Sequence, residues 1–138
     1  MLSKKTKYGL KALSYLAKQE QHVPILISDI SESENISKKF LESILLTLKK
    51  NGILDSKKGK GGGYYLVKSP EEIKISTIIR LLEGPIAMLP CVSLNYYKKC
   101  DDCKSEERCN LNILMAEVRD STLKILENKT LAEFNCGV

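Results

Sequence analysis

Between residues 38 and 67 the hydrophobic period changes from that of a helix to that of a hairpin, and this change limits what the region can build. Leu41, Ile44, Leu45 and Leu48 fall at i, i+3, i+4 and i+7, one apolar stripe on an α-helix. Asn51-Gly52 closes that helix, the glycine accepting the left-handed conformation of a C-terminal stop. Two strand-like runs follow at once, Ile53-Leu54-Asp55-Ser56 and Tyr64-Tyr65-Leu66-Val67, joined by Lys57-Lys58-Gly59-Lys60-Gly61-Gly62-Gly63. A strand after the glycines, with no Ser or Thr behind the lysine, rules out the nucleotide-binding loop G-x-x-x-x-G-K-[ST]. The remaining reading is a hairpin tip whose three lysines supply charge and whose four glycines let backbone approach a phosphate.

Upstream, Leu10, Leu13, Leu16 and Ala17 mark a helix over Thr6 to Lys18, and Pro24 breaks the chain. A short second helix is expected from Ser28 as its cap, with Ile30 inward. Asn35-Ile36-Ser37 makes a turn into the third helix, with Ser37 as cap. With the apolar stripe on the core, Lys39, Glu42, Ser43, Leu46 and Lys50 face outward and Lys38 lies at the edge. Residues early in such a helix reach base edges in a major groove. Lysine meets phosphate or guanine there, and Glu42 can accept from a cytosine amino group. Charged faces are common on surface helices, so the hairpin carries the inference. The expected DNA contacts are Ser37, Lys38, Lys39, Glu42, Ser43 and Lys50 from the helix, with Lys57, Lys58, Lys60, Gly61, Gly62, Gly63 and Tyr64 from the wing.

Charge agrees with that division. Of the net +5, residues 1–68 carry +7 (13 Lys, 6 acids) and residues 69–138 carry −2 (9 Lys or Arg, 11 acids). A basic half beside a near-neutral half points to one part that meets a polyanion and another with a different task.

The second half opens at Pro70. Ile75, Ile78, Ile79 and Leu82 form another helix, which Gly84-Pro85 stops. From Ile86 to Asn110 periodicity is lost, and Cys91, Cys100, Cys103 and Cys109 fall there as C-x8-C-x2-C-x5-C. Such a cluster in a cytosolic chain reads first as a metal or redox site. An iron–sulfur cluster and structural zinc are nearly level on spacing, although zinc ligands usually come as two tight pairs and only Cys100 and Cys103 are close. A thiol switch or disulfide pair is the third reading. Lys98, Lys99, Lys104 and Arg108 lie among the thiols and would offset the charge of a thiolate-bound cluster.

A last long helix is expected from Asn110 to Asn128. Leu111, Met115, Val118, Thr122 and Ile125 form a coiled-coil-like seam suited to a dimer interface. The expected fold is mainly α with a small β wing. Residues 1–84 are a winged helix-turn-helix DNA-binding domain, 85–109 a cysteine-rich sensor loop, 110–128 a dimerisation helix and 129–138 a tail. Cys136 in that tail reads as a free thiol. His22, the only histidine, reads as a surface-loop residue.

One histidine leaves no Ser/His/Asp or Cys/His constellation and there is no dinucleotide fingerprint, so an enzyme is not expected. No run approaches the eighteen or so apolar residues of a membrane span. Met1 to Lys5 leads straight into the first amphipathic pattern without an apolar signal core, so a cytoplasmic chain is expected.

The order of these parts resembles the bacterial Rrf2 family of winged helix-turn-helix regulators. The likeness rests on Ile36-Ser37, Phe40-Leu41-Glu42 and Leu48-Lys49-Lys50-Asn51-Gly52. It continues through Gly59-Lys60-Gly61-Gly62-Gly63-Tyr64, then Ile78-Ile79-Arg80, Leu82-Glu83-Gly84-Pro85 and the cysteine loop, covering nearly the whole chain. The resemblance implies a homodimeric transcription regulator, expected to be a repressor, on pseudo-palindromic double-stranded DNA. In cluster-binding members, three loop cysteines and one other ligand hold a 2Fe–2S or 4Fe–4S centre. Cys91 and Cys109 match the first and last of those cysteines, and Cys100 or Cys103 the middle one. The iron–sulfur biogenesis regulators use a histidine where this chain has Asn112. The nitric-oxide sensors take an aspartate from the partner's first helix, where this chain offers Tyr8. The additional cysteine suggests a site completed by four thiols of one chain. Other members bind no cluster, which leaves zinc, a thiol switch or a partner enzyme as the alternative. An electron carrier using the same cluster would have no need of the basic wing.

Overall fold

In the computed structural model, which describes residues 2–136 (Cys136 by its backbone alone), Ser3 starts the first helix. Its hydroxyl accepts from the Thr6 amide at 3.3 Å, opening α1 (Lys4–Ala17), which buries Leu10, Leu13 and Leu16. The second helix corrects one expectation. α2 (Ile27–Glu34) is capped by Leu26 without a side-chain hydrogen bond, so Ser28 lies inside its first turn. The start is fixed from outside instead: the amide of Ile25 donates to the Tyr64 carbonyl and the Tyr64 amide donates back, both at 2.8 Å. Asn35 ends α2 in the left-handed conformation. Ser37 then caps α3 (Lys38–Lys50) by accepting from the Phe40 amide. Leu41, Ile44, Leu45 and Leu48 of α3 are fully buried, as their spacing requires.

β1 (Leu54–Lys57) and β2 (Gly63–Leu66) pair antiparallel, Leu54 opposite Leu66 and Lys57 opposite Gly63. A 3-10 turn at Pro70–Glu72 leads into α4 (Ile75–Leu82), whose Ile75, Ile78, Ile79 and Leu82 join the core of α1, α2 and α3. Gly9 lies where α1 meets α4; a Cβ there would stand 2.3 Å from Leu82 Cδ1.

At Glu83 the chain is tied back to its beginning. The Ser3 amide (2.6 Å), the Ser3 hydroxyl (2.7 Å) and the Thr6 hydroxyl (3.1 Å) all donate to its carboxylate. These bonds, those from Ser3 foremost, hold the carboxyl below the usual range. The root of the cysteine loop is thereby anchored to α1. The loop itself holds one 3-10 turn, Pro90–Val92, before α5 (Asn110–Glu127).

The tail is a second correction. Residues 131–136 form α6 (Leu131–Cys136), packed on α1, with Leu131 fully buried and a β-bridge between Lys74 and Thr130. Asn135 exchanges hydrogen bonds with Ser14 of α1. Burying one leucine contributes about 1.5–3 kcal/mol, enough to dock so short a helix. The reading of Cys136 as a free thiol falls on a side chain outside the described residues. Among the described residues, no helix is long and apolar enough to cross a membrane.

Candidate nucleic-acid interface and thiol cavity

The outer face of α3 and the hairpin enclose a cleft of about 620 Å³. Lys38 and Glu42 enter it from the helix and Lys57, Lys58, Gly62, Gly63 and Tyr64 from the wing. Ser37, Lys39, Ser43, Lys50, Lys60 and Gly61 are exposed but stand outside its walls. Two of these hydroxyls are engaged within the helix: Ser37 caps it, and Ser43 donates to the Phe40 carbonyl at 2.8 Å.

The cleft also holds residues that sequence reasoning passed over as contacts. Lys49 is half-buried and donates to Ser56 Oγ at 2.7 Å, bracing the helix end against β1. Leu26 and Leu46, 52% and 45% exposed, give the cleft an apolar floor. Only Leu46 had a signal, as an apolar residue on a polar face.

The wing glycines have internal tasks. The Gly62 amide donates to the Gly59 carbonyl at 3.0 Å, so it closes the tip. Gly63 lies against the backbone of Ile25 with φ of +145°. Gly61 alone of the three is exposed.

The second site is formed where the cysteine loop meets the start of α5. Cys91, Cys100, Cys103 and Cys109 all line one cavity of about 540 Å³, with Asp102, Lys104, Glu106, Arg108 and Asn112. All four are free thiols of intermediate exposure. Cys109 caps α5, its sulfur accepting from the Asn112 amide at 3.4 Å, while Asn112 Nδ2 donates to Cys91 Sγ at 3.3 Å. One residue thus touches the first and last cysteines of the loop. A hydrogen bond with Cys91 pushes the Cys100 thiol above its ordinary range, helped by desolvation and nearby negative charge. Tyr97 donates to Glu106 at the rim, and that bond pushes its hydroxyl up to about 12. Among the described residues, no three His, Cys, Asp or Glu side chains stand close enough to hold a single metal ion. Lys98 and Lys99 lie outside the cavity lining. His22 is exposed, edge-on to Tyr65, and Tyr8 packs edge-on to Phe40 at 5.8 Å between ring centroids.

On α5, Leu111, Leu114 and Ile125 are 53%, 51% and 64% exposed on one face. Val118 and Thr122, placed in the same seam by spacing, line a cavity against the end of α4, and Met115 is half-buried.

A helix-turn-helix pair with a basic hairpin beside its second helix defines a winged-helix DNA-binding protein. Residues 2–136 match the family model Rrf2, described as an iron-dependent transcriptional regulator, and the chain belongs to that family. It is similar to an Rrf2-like HTH-type transcriptional regulator of Rhodobacter capsulatus, with 40% identity over 96% of this chain and 91% of the relative. It is also similar to the HTH-type transcriptional regulator IscR of Pectobacterium carotovorum, with 32% identity over 96% of this chain and 77% of the relative. Among solved structures, CymR, the global cysteine regulator of B. subtilis, superposes with a TM-score of 0.81 at 29% identity over 100% of this chain and 98% of the other. IscR of T. potens gives 0.75 at 30% identity over 97% and 85%. The relatives are transcriptional regulators, and this family is not one of enzymes.

Proposed function

We propose that the chain is a cytoplasmic, homodimeric transcription repressor whose hold on a pseudo-palindromic operator is set by an iron–sulfur cluster in the thiol cavity. The observation that carries this reading is the meeting of all four loop cysteines in one cavity at the start of α5. Their donor chemistry fits the group: four soft thiols, with no histidine among them. Zinc draws its donors to about 2.3 Å from one point, whereas a cluster takes thiolates at separate irons, so donors spread over a cavity wall suit it better. Cys91, Cys100, Cys103 and Cys109 would hold it, with Lys104 and Arg108 at the wall offsetting its charge. When bound, such a group supplies redox and ligand-exchange chemistry that responds to oxidants or iron supply.

The exposed Leu111, Leu114 and Ile125 of α5 are the surface that a second copy would cover, with Met115, Val118 and Thr122 alongside. Two copies then present two α3 helices to half-sites about 34 Å apart. Oxygen-free purification followed by absorption and by iron, sulfide and zinc analysis tests the cluster. A brown protein with iron and sulfide is expected; a colourless protein with stoichiometric zinc overturns it. The alternative, a cluster-free thiol switch, is supported by the four free thiols that line one cavity.

The two parts of the DNA surface have separable effects. Changing Lys57, Lys58 and Lys60 together to Ala should weaken binding to all sequences and flatten the salt dependence by up to about three phosphate contacts, each near 0.9 in log–log slope. An unchanged slope removes the wing from the phosphates. Glu42 lies inside the cleft, so Glu42→Ala should cost about 1–3 kcal/mol of discrimination at one base pair and leave non-specific binding nearly constant. A uniform loss across operator variants contradicts a reading role.

A further inference from the structure

Three features meet at the Pro90–Val92 turn. Asn112 Nδ2 donates to Cys91 Sγ at 3.3 Å, and Arg119 Nη1 donates to the Val92 carbonyl at 2.8 Å. The two donors are seven residues apart on α5, which puts them on one face, two turns or about 10.5 Å from each other along the axis. They grip consecutive residues, so the turn is held lengthwise against the helix. The Val92 side chain is buried (2% exposed), which fixes the turn from its other side. The guanidinium is itself held: Arg119 Nε donates to Asp120 Oδ1 at 2.9 Å, leaving Nη1 aimed at Val92.

We infer that Asn112 and Arg119 are positioning residues that pass occupancy of the thiol cavity to α5. The inference rests on the reading of that cavity as an effector site. Any group that draws the Cys91 sulfur toward the other thiols moves the sulfur that Asn112 contacts and the peptide that Arg119 holds. The turn cannot shift without stretching one of these bonds or carrying α5 with it. Leu111, Leu114 and Ile125 lie on a different face of the same helix, so the displacement reaches the apolar surface offered to a second copy. Asn112 acts here as a donor to ligand sulfur, not as a ligand. Its backbone amide, donating to Cys109 Sγ at 3.4 Å, brings the last cysteine into the same arrangement.

The test uses the full chain and Cd2+ alone, a thiophilic ion that loads the cysteines whatever their natural occupant is. Amide hydrogen exchange is followed with and without the ion in the Pro90–Val92 turn and in α5, and thiolate-to-metal absorption gives the loading. In the wild-type chain Cd2+ should slow exchange in both segments by at least about fivefold, the lower end of usual site-to-site coupling. Arg119→Ala, whose side chain lies outside the cavity lining, should load the same amount of Cd2+ and still protect the turn, with the effect on α5 lost, and Asn112→Ala should lose the α5 effect per ion bound, whatever its loading. Arg119→Lys, which keeps one donor for Val92, should recover part of it. Circular dichroism confirms that each variant is folded, and because the two alanine variants are separate changes, either one suffices. The inference is overturned by a wild-type chain that takes up no Cd2+, by protection confined to the loop, or by alanine variants that keep the α5 response. A chain that contains no iron or sulfide yet shows the Cd2+ pattern sinks the cluster and leaves this coupling standing.

Discussion

Gly63→Ala is expected to loosen the wing from the body of the domain, lowering stability by about 2–4 kcal/mol. A Cβ at this position would stand 2.2 Å from the Ile25 carbonyl oxygen and 2.9 Å from the Ile25 nitrogen, both backbone atoms that no rotamer change can move aside. Backbone can yield only by opening the Ile25–Tyr64 bridge, and that bridge joins β2 to the segment leading into α2. The φ of +145° adds a conformational cost of its own. Gly61 supplies the control. It has φ of +76° with nothing within 4 Å of its Cβ position, so Gly61→Ala should cost only about 1 kcal/mol. Urea melts of both variants separate the clash from the strain. DNA binding should fall further for Gly63→Ala, because the wing lysines lose their position beside α3. Equal destabilisation of the two variants would show that the approach to Ile25 is not the limiting feature.

The same contact shows why the hairpin was readable and its docking was not. Strand-like runs and a Gly/Lys joint are local features, and both strands appear within a residue of their expected limits. The partner of Gly63 lies 38 residues back in an irregular segment, where no periodicity marks Ile25 as a strand-like neighbour. For the same reason Ser28 was a reasonable cap on local grounds. The bridge at Ile25 sets the chain direction and starts α2 two residues earlier than a cap at Ser28 would. The buried stripe of α3 was fully legible, because four apolar residues at helical spacing leave one face to bury. α6 was not, since six residues with one deeply buried leucine make no periodic signal. At the second site the cysteines were visible in the sequence and their common cavity was not. Neither were Asn112 and Arg119, whose contacts depend on how the loop lies along α5.

Cys91→Ala is expected to abolish iron and sulfide content under oxygen-free conditions while leaving a folded protein that melts close to the cluster-free wild type. Cys91 is only half-buried, and the structural fixing of its segment comes from Val92, which the substitution leaves in place. Removing a half-exposed sulfur therefore costs about 1 kcal/mol or less. Its loss at the cavity is far larger, because the remaining thiols are one short of the four that the loop offers and Asn112 is left without the sulfur it contacts. The comparison with Cys100→Ala and Cys103→Ala decides between two ligand sets. If all four thiols of the chain complete the site, each of the three variants loses the cluster. If three cysteines and another group do so, as the resemblance to cluster-binding relatives implies, one of Cys100 and Cys103 is dispensable and its variant stays brown. Iron and sulfide measured against protein, with absorption in the visible range, distinguish these outcomes. Full cluster content in Cys91→Ala would remove Cys91 from the ligands and leave Cys100, Cys103 and Cys109 as the thiols of this cavity that could hold the group.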